Sequence, residues 1–169
     1  MDTDGVDLEQ MVSMKVRVTV TDDEMIVDWR ESATGVRGPI NMPVGLTTAV
    51  SSLIFKSVTT PDTPVVAGNF RPLRVLTTPG SVMHAVPPMP TFTLWISILA
   101  GEVILKALAQ GIPDQIPACS GGDVNSIAAF GVDPRTGLAW QEGINEGVGF
   151  GGHAGGDGED GIAHLSQPG

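Results

Sequence analysis

Cysteine and clustered positive charge are both nearly missing from this sequence. Cys119 is the single cysteine, so neither a disulfide framework nor a cysteine-rich zinc site can form within one chain, and a reducing, cytoplasmic setting is expected. Nine Lys and Arg stand against 19 Asp and Glu, for a formal charge of −10. The basic residues are scattered and cannot neutralise a run of phosphates, which argues against nucleic acid as a partner and for a solvated acidic surface. No basic stretch leading into an apolar run and a cleavage site opens the chain, so export is not signalled. An uninterrupted hydrophobic span is missing too. The most apolar segment, Thr91 to Ala109, carries Glu102 and Lys106 and follows Pro87-Pro88-Met89-Pro90, which suits a buried helix rather than a membrane span. Neither a repeat of fixed period nor a compositional shift marks a linker. The 169 residues therefore read as one domain with its own core.

The patterning that is present predicts an α+β fold, mainly antiparallel strands and hairpins with two core helices. Met14, Val16, Val18 and Val20 alternate with Lys15, Arg17 and Thr19, the pattern of a half-buried strand. Thr21-Asp22-Asp23-Glu24 supplies turn residues, after which Met25, Val27 and Trp29 resume the alternation, so a hairpin is expected over Lys15 to Arg30. Leu46, Val50, Leu53, Ile54 and Ser57 fall at helical spacing and predict a helix from about Val44 to Ser57. Leu73, Val75 and Thr77 form a short strand bounded by Pro72 and Pro79. A second, nearly all-apolar helix follows Pro90, with Thr91 or Thr93 as N-cap, Gly111 at its end and Glu102–Lys106 as an ion pair on its polar stripe. Asp133 to Gly137 reads as a hairpin loop joining Val124–Val132 to Leu138–Glu142.

Few segments offer chemistry. Gly147, Gly149 and Gly152 match GxGxxG, but a dinucleotide fingerprint must open a helix, and Gly155, Gly156, Gly158 and Gly161 penalise one. Two explanations of so many glycines remain: a mobile surface loop, or close approach of another chain or ligand. His153, Asp157, Glu159 and Asp160 lack the spacing of a metal motif and read as solvated loop residues or turn formers. The acidic opening, Asp2, Asp4, Asp7 and Glu9, defines no metal site either. His84 and His164 are isolated and read as structural histidines, with no functional role assigned, and Cys119 is expected to be a buried structural thiol. Asn41, Asn125 and Asn145 lie in or beside glycine-containing loops, where an amide either holds a turn or orients a polar substrate.

Six blocks occur in one order: Val27-Asp28-Trp29; Gly35-Val36-Arg37-Gly38-Pro39-Ile40-Asn41; Asn69-Phe70-Arg71-Pro72-Leu73-Arg74-Val75; Leu105-Lys106-Ala107-Leu108-Ala109-Gln110; Pro117-Ala118-Cys119-Ser120-Gly121-Gly122; and the run from Gly151 to Gly161. Together they resemble the hydantoinase B/oxoprolinase family over nearly the whole chain. The resemblance implies part of an ATP-dependent cyclic-amide hydrolase subunit of hydantoinase or 5-oxoprolinase type, inactive alone. The family is similar to subunits of acetone and acetophenone carboxylases, and Pro90 to Trp95, where many hydantoinase-type members are more polar, keeps that branch open. A noncatalytic module packing on a larger subunit is the third reading.

The resemblance also implies partners: a hydantoinase A-type subunit that binds ATP, which fits the lack of a P-loop here, the remainder of a B-type subunit, and a small-molecule substrate. Family members are longer, and the His- and Asp-bearing segments of their divalent-metal site lie upstream of the matched region. The chain is thus expected to be an internal segment holding few metal ligands, with none assigned. The candidates for a catalytic role are Asn145, Glu146 and Asp157. Those for substrate binding are Asn41, Asn125, Gly151, Gly152 and His153.

Overall fold

The computed structural model describes residues 2–91, 95–121 and 124–161, and at positions 95, 124–126, 145 and 146 the backbone alone. The chain divides into two compact units, Met1–Ile116 and Pro117–Gly169. His164 and Thr93 lie outside the described residues.

The first unit is built on a three-stranded sheet of order β1-β2-β3, with β1 at Arg17–Val20, β2 at Met25–Asp28 and β3 at Leu73–Leu76. The expected hairpin is there: β1 and β2 are antiparallel with Val20 opposite Met25, and the Thr21 amide closes the turn on the Glu24 carbonyl at 2.9 Å. Alternation places Met25, Val27 and Trp29 in the core, with Ile26 and Asp28 half-buried. β3 runs parallel to β2, Met25 facing Leu73. That pairing cannot be read from local alternation, because it depends on the long connection that carries α1.

Two helices, α1 at Val44–Thr59 and α2 at Trp95–Leu108, pack on one another. The buried face of α1 differs from the expected one. It runs through Thr47, Val50, Ser51, Ile54 and Phe55, while Leu53 is exposed. Hydroxyls can take core positions here because each has an internal partner: Thr47 Oγ1 donates to the Met83 carbonyl at 2.7 Å and Ser51 Oγ to that of Thr47 at 2.8 Å. Ser51 Oγ also accepts the indole N–H of the fully buried Trp29 at 3.4 Å. Lys56 is buried at the C-terminal end of α1, where its ammonium donates to the carbonyls of Thr60 and Thr63.

In α2, Ile96, Ile98, Ala100, Ile104, Leu105 and Leu108 are buried, as the nearly all-apolar pattern requires. Glu102 is buried as well, whereas Lys106 is exposed, so the two do not share the solvated stripe expected from their spacing. The amides of Gly111 and Ile112 both donate to the Leu108 carbonyl at 2.9 Å and close the helix. No helix among the described residues is long and apolar enough to cross a membrane.

The second unit holds an antiparallel ribbon of β4 (Val124–Val132) and β5 (Ala139–Gly147). Its turn forms where the sequence places it: the Asp133 carboxylate accepts the Arg135 amide at 2.8 Å and pairs with its guanidinium at 3.1 Å, and Gly137 takes a φ of 71°. β5 runs beyond the expected end at Glu142, as far as Gly147. Asn145 and Glu146 are therefore strand residues, not members of a glycine-rich loop. The two units together give the α+β class with two helices and mainly antiparallel pairing.

Candidate functional site

Three of the six sequence blocks are accounted for by backbone architecture. In the first unit the Gly35–Asn41 segment is tied down at two points. Asn41 is 1 % exposed, its Oδ1 accepts the Val36 amide at 2.9 Å, and its Nδ2 donates to the carbonyls of Val36, Gly38 and Pro90 at 2.9, 3.1 and 2.8 Å. Of the two roles open to it, the geometry gives Asn41 that of holding the turn: the side chain is buried and both Nδ2 hydrogens are committed to backbone carbonyls.

The second tie is Asp4, one of the acidic residues that open the chain. It is buried, and its carboxylate accepts the amides of Val6 at 2.9 Å, Asp7 at 2.6 Å and Gly38 at 2.8 Å. The amides of Asp7, Val6 and Gly38, in that order, hold its carboxyl below the ordinary value of 3.8 against the opposing effect of burial. A Cβ at Gly38 would lie 1.8 Å from the Asp4 carbonyl oxygen, so the block needs glycine there for close approach of this chain's own N-terminal segment. A capping aspartate followed by a small turn was the signal that could have found Asp4.

The glycine-rich run of the second unit has a similar cause. The Ala118 amide donates to the Gly152 carbonyl at 2.8 Å and Gly121 to Gly149 at 3.4 Å, so the Pro117–Gly121 segment lies along residues 149–152. The run then folds back on itself. Phe150 and Glu159 exchange both backbone bonds, at 2.7 and 3.1 Å, and His153 and Gly156 do so at 3.0 and 3.2 Å. A Cβ at Gly151 would meet the Ala118 carbonyl oxygen at 1.8 Å, and one at Gly158 the Phe150 oxygen at 2.2 Å. Close approach is thus the reason for glycine at both positions, and what approaches is the chain's own backbone. Among the described residues no helix follows Gly152, as a dinucleotide fingerprint would need.

The side-chain candidates distribute around this framework. His153 is exposed, and its Nδ1 accepts the Gly155 amide at 3.0 Å, which leaves Nε2 as the donor of the neutral ring. Asp157 is exposed just beyond Gly156, the bridge partner of His153. The side chains of Asn125, Asn145 and Glu146 lie outside the described residues, but the strand register is defined: Asn125 pairs with Glu146, and Ser126 with Asn145. Successive pairs occupy opposite faces of a ribbon. Glu146 therefore shares a face position with Asn125 and not with Asn145.

Other sequence assignments change. Cys119 is exposed, not buried, because it sits on the Pro117–Gly121 segment at the surface of its unit. His84, by contrast, is structural as expected, with Nδ1 hydrogen-bonded to the Thr77 hydroxyl at 2.8 Å. Among the described residues no three His, Cys, Asp or Glu side chains come together in a way that could hold a metal ion. The described residues thus do not fit a divalent cation by themselves, and no chemical step is assigned to one.

The chain matches the family model described as hydantoinase B/oxoprolinase over residues 1–169. It is 30 % identical over 143 residues to an uncharacterized protein of Methanocaldococcus jannaschii, covering 83 % of this chain and 25 % of that protein. It is 28 % identical over 162 residues to a putative B-type subunit of a D-/L-hydantoinase from a Pseudomonas species, covering 90 % of this chain and 27 % of the relative. In fold it is similar to the ATP-dependent caprolactamase of Pseudomonas jessenii, with a TM-score of 0.71 and 24 % identity over 89 % of this chain and 27 % of that one. The chain spans about a quarter of the length of the relatives it matches. With the family model matched from the first residue to the last, on a fold shared with a solved relative, this chain belongs to the hydantoinase B/oxoprolinase family.

Proposed function

We propose that the chain is part of a subunit of an ATP-dependent cyclic-amide hydrolase of hydantoinase or 5-oxoprolinase type, and that it is inactive alone. What carries this reading is the family match over all 169 residues. The names of a B-type hydantoinase subunit and of a caprolactamase, both concerned with cyclic amides, support it. The chemistry requires activation, because an amide carbonyl is a poor electrophile. Phosphoryl transfer from ATP to the amide oxygen, with release of ADP, supplies it; water then adds to the ring carbon, the ring C–N bond breaks to leave the amine, and the phosphoryl group departs as inorganic phosphate. ATP is bound by a hydantoinase A-type partner, as the family resemblance implies.

The role left to this chain is positioning. Asn125 and Glu146, which are backbone partners in the register of the ribbon, and Gly151, Gly152, His153 and Asp157 are the candidates for contact with a substrate. The exposed apolar side chains of the ribbon, among them Ile127, Phe130 and Leu138, support the existence of further sequence that covers them.

The test is reconstitution. The chain is co-expressed with an A-type subunit and the remainder of a B-type subunit, and ADP and ring-opened product are measured with hydantoin, 5-oxoproline and caprolactam. Turnover by the assembly and none by the chain alone is the expected result. Bicarbonate-dependent ATP turnover with a ketone would replace this reading by that of a ketone carboxylase. A rate unchanged by alanine at Asn145, Glu146 and Asp157 would make the chain a noncatalytic interaction module.

A further inference from the structure

A groove of about 1010 Å³ opens in the first unit between the β1–β2 hairpin and the C-terminal ends of α1 and α2. Its floor is apolar, formed by Val18, Val20, Phe55, Val58, Leu108 and Ile112. Its rim carries Asp22, Asp23 and Glu24, and no lysine, arginine or histidine lines it. Glu24 is paired with Arg74 at 3.5 Å, whereas Asp22 and Asp23 have no ion-pair partner among the described residues. The end of α2 adds partial negative charge to the same place.

A second concavity of about 510 Å³ is lined by Met14 to Val18 and shares Val18, Ala107 and Gln110 with the first. Its charges are of the opposite kind. Glu31 is taken by Arg17 at 2.9 Å and Asp28 by Arg30 at 2.7 Å, which leaves Lys15 and Lys106 without ion-pair partners among the described residues. The trough beside β1 is thus cationic at one end, apolar in the middle and anionic at the other.

β1 borders this trough and is an edge strand of its sheet. The Thr21 amide donates to Glu24, and the amides of Met25 and Trp29 donate to Pro72 and Leu76 on the β3 side, at 2.8 Å each. Antiparallel pairing alternates, so Thr19 and Arg17 face β2, and the N–H and C=O groups of Val18 and Val20 face away from the sheet. Neither residue receives a hydrogen bond from another element among the described residues. Val20 is 66 % exposed, unusual for a valine beside a core strand.

We infer that this trough is a docking site for an extended segment of another polypeptide, which adds as a fourth strand to the edge of β1. The segment has apolar residues at alternate positions facing the groove, a Lys or Arg at the end that reaches Asp22 and Asp23, and an Asp or Glu at the end that reaches Lys106. Backbone bonds to Val18 and Val20 give affinity, and the two charged ends set its register.

The test uses the 169-residue chain and a blocked heptapeptide, Lys-Thr-Val-Thr-Val-Thr-Glu, whose charged ends and two valines share one strand face, followed by amide hydrogen exchange in solution. The peptide slows exchange at Val18 and Val20 and leaves Thr19 unchanged, since Thr19 is already bonded to β2. Asp22→Lys with Asp23→Lys weakens this peptide at least about threefold, as the loss of exposed ion pairs implies, and improves binding of the same peptide with glutamate at both ends. Val20→Pro removes one outward N–H without touching the β1–β2 bonds, and abolishes peptide binding while Thr19 stays protected. Three results would overturn the inference: no protection of Val18 and Val20 at millimolar peptide, equal binding of the two peptides to the charge-reversed chain, or protection of both amides without peptide in a dimer.

Discussion

The carboxylate of Asp4 and the amide of Asn41 hold one loop from two directions, and each makes a distinct prediction. Asp4 accepts three backbone amides, which lower its pKa from 3.8 in the folded chain. A depressed carboxyl contributes stability that is fully present above its unfolded pKa and is lost as pH falls through the folded value. Urea midpoints recorded across acid pH should therefore fall below about pH 4, and Asp4→Asn should flatten that dependence because the titrating group is gone. Asn41→Ala has no such pH signature. It leaves the Val36 amide and the Gly38 and Pro90 carbonyls without their buried partner, at a cost of about 2 kcal/mol or more in urea unfolding. A midpoint within error of the parent would remove Asn41 from the architecture and return it to the substrate-binding candidates.

Among the elements, the glycine run and the ribbon differ in what they tolerate. A methyl group at Gly151 overlaps the Ala118 backbone, whereas one at Gly143, within β5, meets nothing within 4 Å. Gly151→Ala should separate the two segments and raise the exchange rate of the Ala118 amide by about tenfold or more, while Gly143→Ala should leave the same amide unchanged. Equal behaviour of the two variants would show that the pairing of residues 117–121 with 149–152 does not form in solution. In α1 the hydroxyls of Thr47 and Ser51 are interior groups with partners on the loop at Met83 and on the indole of Trp29. A hydrophobic tally therefore points to the wrong stripe, and only the neighbouring chain shows which side of the helix is covered.

For the whole molecule the chief feature is apolar surface that the described residues leave open. Phe130 is 80 % exposed on a ribbon of two strands, and a two-stranded ribbon alone is marginal in water. The isolated chain should bind a hydrophobic dye and self-associate with rising concentration. Phe130→Ser should reduce both without lowering stability in urea by more than about 0.5 kcal/mol, because little burial is lost. Suppression of dye binding when the remainder of a B-type subunit is supplied is the corresponding gain-of-order result. A dye-silent, monomeric chain would contradict the proposed reading that further sequence covers the ribbon.

Local pattern was enough for the β1–β2 hairpin, the extents of α1 and α2, the Asp133–Gly137 turn and the family itself, since each depends on neighbours in sequence: alternation, helical spacing, turn residues and ordered short blocks. Tertiary structure alone decided the parallel pairing of β3 with β2, the burial of Asp4, the extension of β5 through Asn145 and Glu146, and the reason for Gly151. These depend on which distant backbone comes within a few ångströms, and composition carries no record of that distance. Asn41 shows the boundary most clearly. Its amide chemistry was legible from the start, but whether it served a turn or a ligand rested on where Val36, Gly38 and Pro90 place their polar groups.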